Sequence, residues 1–167
     1  MHSFFTAESK QGIVIQAVLA SSFDQIQNGL SSSERTWIQQ NDFSFQEGAY
    51  LMLPNKDGGI GKVIACFKQV DDVATTALLA RRLPPGSYQL VFDQELMDRQ
   101  WFHHAVYWGL GCYRFSRYLT GADAAPSPTL VLNQAVNSSY LNHVVDSFYL
   151  GQDLINTPTE DLTPQDL

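Results

Sequence analysis

The sequence predicts an α/β fold, a three-layer sandwich in which a mixed sheet is flanked by helices. Three observations carry this reading. Short β-branched, apolar runs alternate with helical patterns along the chain, 44% hydrophobic against 16% charged residues supplies a core, and 167 residues suit one domain. A chain of this length buries roughly 70% of the surface its unfolded form exposes.

Ile13 to Leu19 is a nearly continuous apolar run and predicts a strand buried on both faces. A helix is expected from about Ser33 to Gln40, because Ser31 with Glu34 three residues on forms a capping-box pattern; Trp37 and Ile38 are its expected buried contacts. Tyr50 to Leu53 and Lys62 to Phe67 flank the turn-rich Pro54 to Gly61, which predicts a hairpin with glycines supplying positive φ. Thr75 to Arg82 reads as a helix whose last turn places Arg81 and Arg82 where the dipole favours cations, and Pro84-Pro85-Gly86 ends it. Tyr88 to Phe92 gives another strand. From Asp93 to about Tyr118 a long helix is expected, with Phe102, Ala105, Val106, Gly109, Cys112, Tyr113 and Phe115 on one face. Gly121 to Ser127 reads as a loop and Thr129 to Leu132 as a strand. Asn137 or Ser138 then caps a helix carrying Leu141, Val144, Val145 and Phe148. The order β, α, β, β, α, β, α, β, α implies a mostly parallel or mixed sheet, with the hairpin as its antiparallel pair.

Composition narrows the function classes. A net charge of −7 with ten scattered basic residues argues against nucleic acid or an anionic membrane as partner, since phosphate recognition needs clustered Lys and Arg. Cys66 in an apolar run and Cys112 in a helix fit buried free thiols of a reducing compartment. The start, Met1-His2-Ser3-Phe4-Phe5, lacks a basic region and a long apolar one, and no window reaches ~18 apolar residues. A cytoplasmic location is expected.

The patterns that commonly carry chemistry read as structure. Gly58-Gly59-Ile60-Gly61-Lys62 lacks the Gly at position 56 and the Ser or Thr at position 63 that a phosphate loop requires, and a strand follows it where a helix is needed. His103 and His104 are adjacent on a helix and point about 100° apart, so they do not share a metal; His103 is expected nearer the apolar face and His104 nearer the polar one. His143 and Asp146 share a helix face and are expected to be a solvated surface pair. Asp71-Asp72 and Glu160-Asp161 look like turns and caps. Asn137-Ser138-Ser139 is a glycosylation triplet without a secretion signal, and Ser31-Ser32-Ser33 lacks the glycine-flanked elbow of a hydrolase nucleophile. No catalytic, metal or cofactor-binding residue is assigned.

Two stretches remain. After the apolar helical run ending near Tyr149, the chain breaks at Asn156-Thr157-Pro158. A new helix start follows, with Thr163 as N-cap, Pro164 at the first helical position and Asp166 in the first turn. The chain is therefore expected to be part of something longer, with residues 1–155 as an α/β domain and 156–167 as the start of a linker. Leu154-Ile155-Asn156-Thr157-Pro158, continued by Asp161-Leu162-Thr163-Pro164 and Asp166-Leu167, resembles the segment joining the N-terminal to the catalytic domain in the leucine aminopeptidase (cytosol aminopeptidase) family. Trp108-Gly109-Leu110-Gly111-Cys112-Tyr113-Arg114-Phe115-Ser116-Arg117-Tyr118 is similar to that family's Ala-Leu-Gly-x-Tyr-Arg-Phe-x-Arg-Tyr helix, with Gly109 in place of the usual alanine.

The resemblance implies a macrodomain-like N-terminal domain, non-catalytic by itself, of a metallopeptidase that removes N-terminal amino acids from peptides. It implies packing against its own C-terminal catalytic domain, a part in assembling a hexamer and in substrate access, and two divalent metals (Zn or Mn) in the catalytic domain. The family's metal and catalytic motifs, including its Asn-Thr-Asp-Ala-Glu-Gly-Arg run, have no counterpart here. The alternative, by fold analogy, is a macrodomain-like module binding a nucleotide or ADP-ribose at the strand ends.

Overall fold

The computed structural model describes residues 4–6, 12–118 and 126–161. Six strands form one sheet: β1 (Phe5–Thr6), β2 (Ile13–Leu19), β3 (Tyr50–Pro54), β4 (Ile60–Phe67), β5 (Ser87–Phe92) and β6 (Thr129–Val131). Their order is β1-β6-β5-β2-β4-β3, and every neighbouring pair is parallel except the β3–β4 hairpin. The helices are α1 (Phe23–Gly29), α2 (Ser32–Gln40), α3 (Val73–Arg82), α4 (Asp98–Gly111) and α5 (Ser138–Asn156). This is the expected α/β sandwich on a mixed sheet.

Alternation along the strands sorts the side chains into two layers. Ile15 and Ala17 of β2, Val63, Ala65 and Phe67 of β4, and Tyr88, Leu90 and Phe92 of β5 join α3, α4 and α5 in one core of 22 buried residues. On the other face Val18, Ile64 and Leu53 form a buried cluster of only four with Leu30, under partly buried Phe23, Ile26, Ile38, Phe43 and Phe45 around α1 and α2. β2 is therefore covered on both faces only toward its C-terminal end; Val14 is 37% exposed.

Local chemistry explains the boundaries. Ser31 and Glu34 make the capping box, with Glu34 Oε2 accepting from the Ser31 N–H at 2.8 Å. The Asp72 carboxylate accepts from the Thr75 N–H at 3.2 Å and starts α3 at Val73, two residues before the expected Thr75. Asn137 caps α5 through the Tyr140 N–H at 3.0 Å. In the hairpin loop Asn55 Oδ1 accepts from the Asp57 and Gly59 N–H groups, and of the glycines there only Gly58 has positive φ.

Several expectations are corrected. The sequence pattern did not show β1, which is two residues long, or α1, whose N-cap has no side-chain bond. The long helix expected from Asp93 to Tyr118 is the shorter α4; Gln100 Oε1 accepts from the Met97 N–H at its start, and the chain leaves the helix at Cys112. Tyr113 and Phe115 thus lie beyond it. Trp37 is 36% exposed, and its indole N–H bonds the Met52 carbonyl at 3.1 Å, tying α2 to β3 from outside. On α5 Phe148 is 51% exposed, while Leu141, Val145 and Tyr149 are buried. The two histidines are reversed: His104 is 1% exposed and His103 faces solvent.

Candidate functional site

The two stretches that carried the family resemblance meet. Tyr113 to Tyr118, released from α4 at Cys112, lie against the end of α5 and the turn at Thr159–Asp161. Tyr113 Oη donates to Asp153 Oδ1 at 2.7 Å and accepts from Asn156 Nδ2 at 3.2 Å. Arg117 donates to Thr157 Oγ1 at 3.4 Å and to the Asp161 carbonyl at 3.3 Å, and Tyr118 Oη donates to Asp161 Oδ2 at 2.6 Å. Thr157 turns its hydroxyl and its N–H back to the Asp153 carbonyl at 2.7 and 2.9 Å, which closes α5 and buries the residue. Segments some 40 residues apart are thereby fixed to each other at the end of α5.

Beneath this junction the helices approach closely. Tyr149 Oη of α5 donates to the Gly109 carbonyl of α4 at 2.6 Å, and its ring meets Tyr113 edge-on at 5.0 Å. A Cβ at Gly109 would stand 2.9 Å from Val145 Cγ2, and one at Gly111 would stand 2.3 Å from the Ala77 carbonyl oxygen of α3. Glycine at both positions lets three helices pack at backbone distance. Burial raises the Tyr149 phenol pKa, and at Tyr113 loss of solvent and then the Asp153 carboxylate do the same. Both phenols therefore stay protonated as donors. Phenols, a guanidinium, amides and single carboxylates suit this set to holding a segment in place.

The other sequence candidates take structural places. His104 Nε2 bonds the Val70 carbonyl at 2.8 Å, so that nitrogen carries the proton and Nδ1 accepts from Thr76 Oγ1 at 2.7 Å. Burial holds its pKa below the usual histidine range. Sequence reasoning missed this buried clamp among α3, α4 and the Val70 loop. The spacing of His104 to Trp108, one turn on and fully buried, was the available signal. Asp71 accepts from Gln100 Nε2 at 2.9 Å, and Asp72 is a cap. His143 and Asp146 are both exposed on α5. Cys66 and Cys112 are buried free thiols pushed up to about 11 and about 12 by burial. Glu34 is held below the ordinary carboxylate value, first by the Ser31 backbone bond, and Lys62 assists at 3.3 Å. The expected helix start at Thr163 to Asp166 lies outside the described residues, as does most of the loop from Gly121. Among the described residues no group of three or more His, Cys, Asp or Glu is placed to hold a metal, and no helix is long and apolar enough to cross a membrane.

Comparison with known proteins bears on this arrangement. Residues 13–132 match the family model of the M17 aminopeptidase N-terminal domain. The fold is shared with cytosol aminopeptidase from Coxiella burnetii, with a TM-score of 0.83 and 24% identity over 99% of this chain and 36% of that one. Bottromycin maturation enzyme BotP, solved in complex with Mn, aligns with a TM-score of 0.62 and 16% identity over 92% of this chain and 34% of its own. A mutant of tomato leucine aminopeptidase aligns with a TM-score of 0.61 and 16% identity, over 97% and 39%. No curated protein sequence matches. The chain spans little more than a third of the length of these solved structures. Sheet and helices together define an α/β domain of the kind found at the N-terminus of M17 aminopeptidases. The chain belongs to the M17 aminopeptidase family, matching its N-terminal domain.

Proposed function

We propose that this chain is the non-catalytic N-terminal domain of a leucine-aminopeptidase-type enzyme that removes N-terminal amino acids from peptides in the cytoplasm. Its role is to position and help assemble the catalytic domain, within a hexamer, and to limit substrate access. Residues 1–155 act as the domain and 156–167 begin the linker. The observation that carries this reading is the junction, where Tyr113, Arg117 and Tyr118 grip Asp153, Thr157 and Asp161. A domain that must present a partner in one orientation needs a rigid exit, and this network supplies it.

A second feature supports the same reading. Tyr140, Phe148 and Ile155 lie about two turns apart on one face of α5 and are 60%, 51% and 85% exposed. Such an apolar stripe, continuous with the exit, suits contact with a following domain. Membership of the family supports assigning the metals, Zn or Mn, to the catalytic domain, and no chemical step is placed in this one.

The test is to read the gene downstream of Leu167, express whatever it encodes, and compare its hydrolysis of a leucyl amide in Mn²⁺ or Zn²⁺ with that of the 167-residue chain. Activity confined to the longer protein is expected. Hydrolysis by the 167-residue chain at the intact enzyme's rate would overturn the proposal.

A further inference from the structure

The sparsely packed face of the sheet holds a cavity that neither the junction nor the α5 stripe involves. Its volume is about 560 Å³, and it opens between α1, α2 and the segment that follows α2. Phe23, Phe43, Phe45 and Ile38 supply an apolar wall. The rings are mutually braced, Phe43 against Phe45 edge-on at 5.2 Å and Phe23 against Phe45 at 5.9 Å. None of these four side chains is fully buried, so each keeps apolar surface toward the opening.

Arg35 gives the cavity its charge. Its Nε donates to the Leu30 carbonyl at 3.1 Å and its Nη2 to the Asn28 carbonyl at 3.2 Å, which fixes the guanidinium plane at the rim. Two of five N–H donors are thus used and three remain. Among the described residues no carboxylate pairs with Arg35; the adjacent Glu34 is engaged by Lys62 and Ser31. Among the described lining residues Arg35 is the only charged one. An aromatic pocket of ligand size with one pre-oriented cation that no described carboxylate pairs matches a flat apolar body carrying one negative group. A guanidinium with free donors on adjacent positions favours a planar carboxylate. We propose that this cavity is a binding site for a small aromatic monocarboxylate, with the ring among Phe23, Phe43 and Phe45 and the carboxylate on Arg35. The proposal is independent of the aminopeptidase reading.

The test titrates the 167-residue chain with 3-phenylpropionate and, separately, with 3-phenylpropionamide, following backbone amide shifts by NMR. The acid is expected to saturate with shifts clustered at 23–30 and 38–45, and the amide, which keeps the ring and loses the charge, to bind about tenfold more weakly. Arg35→Met is expected to weaken the acid to the level of the amide. Arg35 also braces two carbonyls, so Ser44→Trp, at an exposed lining residue, provides a second variant that fills the cavity and is expected to abolish the shifts. Equal binding of acid and amide, shifts outside the cavity, or no saturation by about 10 mM, the weak limit for a ligand of this size, overturns the site.

Discussion

The two faces of the sheet are built to different standards. Under α3, α4 and α5, 22 residues are buried in one continuous core, with Trp108, Tyr88 and Phe67 among the largest fully enclosed side chains. Under α1 and α2 the buried apolar cluster has four members among the described residues, with Cys66 buried beside it, Val14 and Val91 are each 37% exposed, and three phenylalanines border open space. The first face therefore carries most of the stability and the geometry of the junction between Tyr113–Tyr118 and the end of α5. The second is where a vacancy is tolerated, because burial there contributes less.

The largest expected effect tests that division directly. Trp108→Ala removes a fully buried indole that also donates to the Pro128 carbonyl at 3.2 Å, and should destabilise by about 3–5 kcal/mol. Phe43→Ala, on a half-buried ring of the second face, should cost less than half of that in the same urea titrations. Equal losses would erase the distinction between the faces.

Next come the glycines that let the first-face helices touch. Gly111→Ala sets a Cβ against the Ala77 backbone, which has no side chain to move aside, and should cost about 1–3 kcal/mol or more. Gly109→Ala meets the Val145 methyls, which truncation can remove. Val145→Ala in the same chain should recover part of the Gly109→Ala loss, a coupling of about 0.5 kcal/mol or more by double-mutant cycle. Strict additivity would mean that α4 and α5 relax apart.

How far the sequence revealed this depended on where each signal lay. Ile13 to Leu19, the Ser31 capping box, the hairpin and the Asn137 cap were read directly, because each is a local pattern whose partner lies within a few residues. β1 escaped because two residues have no period. The α4 helix was over-extended because Tyr113 and Phe115 keep apolar spacing past its end, while hydrogen bonds to Asp153 and Asn156, some 40 residues on, draw the chain away. The apolar spacing exchanges His103 and His104 because it runs through Phe102, next to His103, whereas the deepest line passes through His104 and Trp108. The junction followed the same rule. Both stretches were identified by their resemblance to a family, but their pairing through Arg117, Tyr118 and Asp161 is tertiary and has no local trace.

The His104 clamp gives the first face a pH dependence. Burial lowers its folded-state pKa below the ordinary value of about 6.5, outweighing the opposing influence of the Val70 bond and of Asp71 and Asp72. The unfolded chain then binds a proton that the folded one refuses. This contribution is complete above pH ~6.5 and is lost as pH falls from there toward the folded-state value. Thr76→Val, which leaves Nδ1 without its donor, should cost about 1–2 kcal/mol at neutral pH. It should also flatten the slope of thermal stability as pH falls below about 6.5, because Nδ1 becomes easier to protonate. An unchanged slope would show that the imidazole is not the group responsible.

The smallest effect is expected on the second face and with the opposite sign. Asp42 has φ of 48°, a left-handed conformation at the end of α2. Its N–H bonds the Gln39 carbonyl at 3.2 Å and the Phe43 N–H bonds the Ile38 carbonyl at 3.1 Å, the pair of reversed bonds that closes a helix through a left-handed residue. That turn drops Phe43 beside Ile38 and so forms one wall of the cavity. Asp42→Gly removes the steric penalty while keeping the bonds, and should stabilise the chain by about 0.5–1 kcal/mol in urea titrations. Asp42→Val imposes a branched side chain on the same φ and should destabilise it. If the glycine variant gained nothing, the left-handed turn would not limit the stability of this face. If it gained stability and left the phenylpropionate shifts unchanged, α2 would be closed by its backbone bonds alone, and the looseness of the second face would belong to the cavity itself.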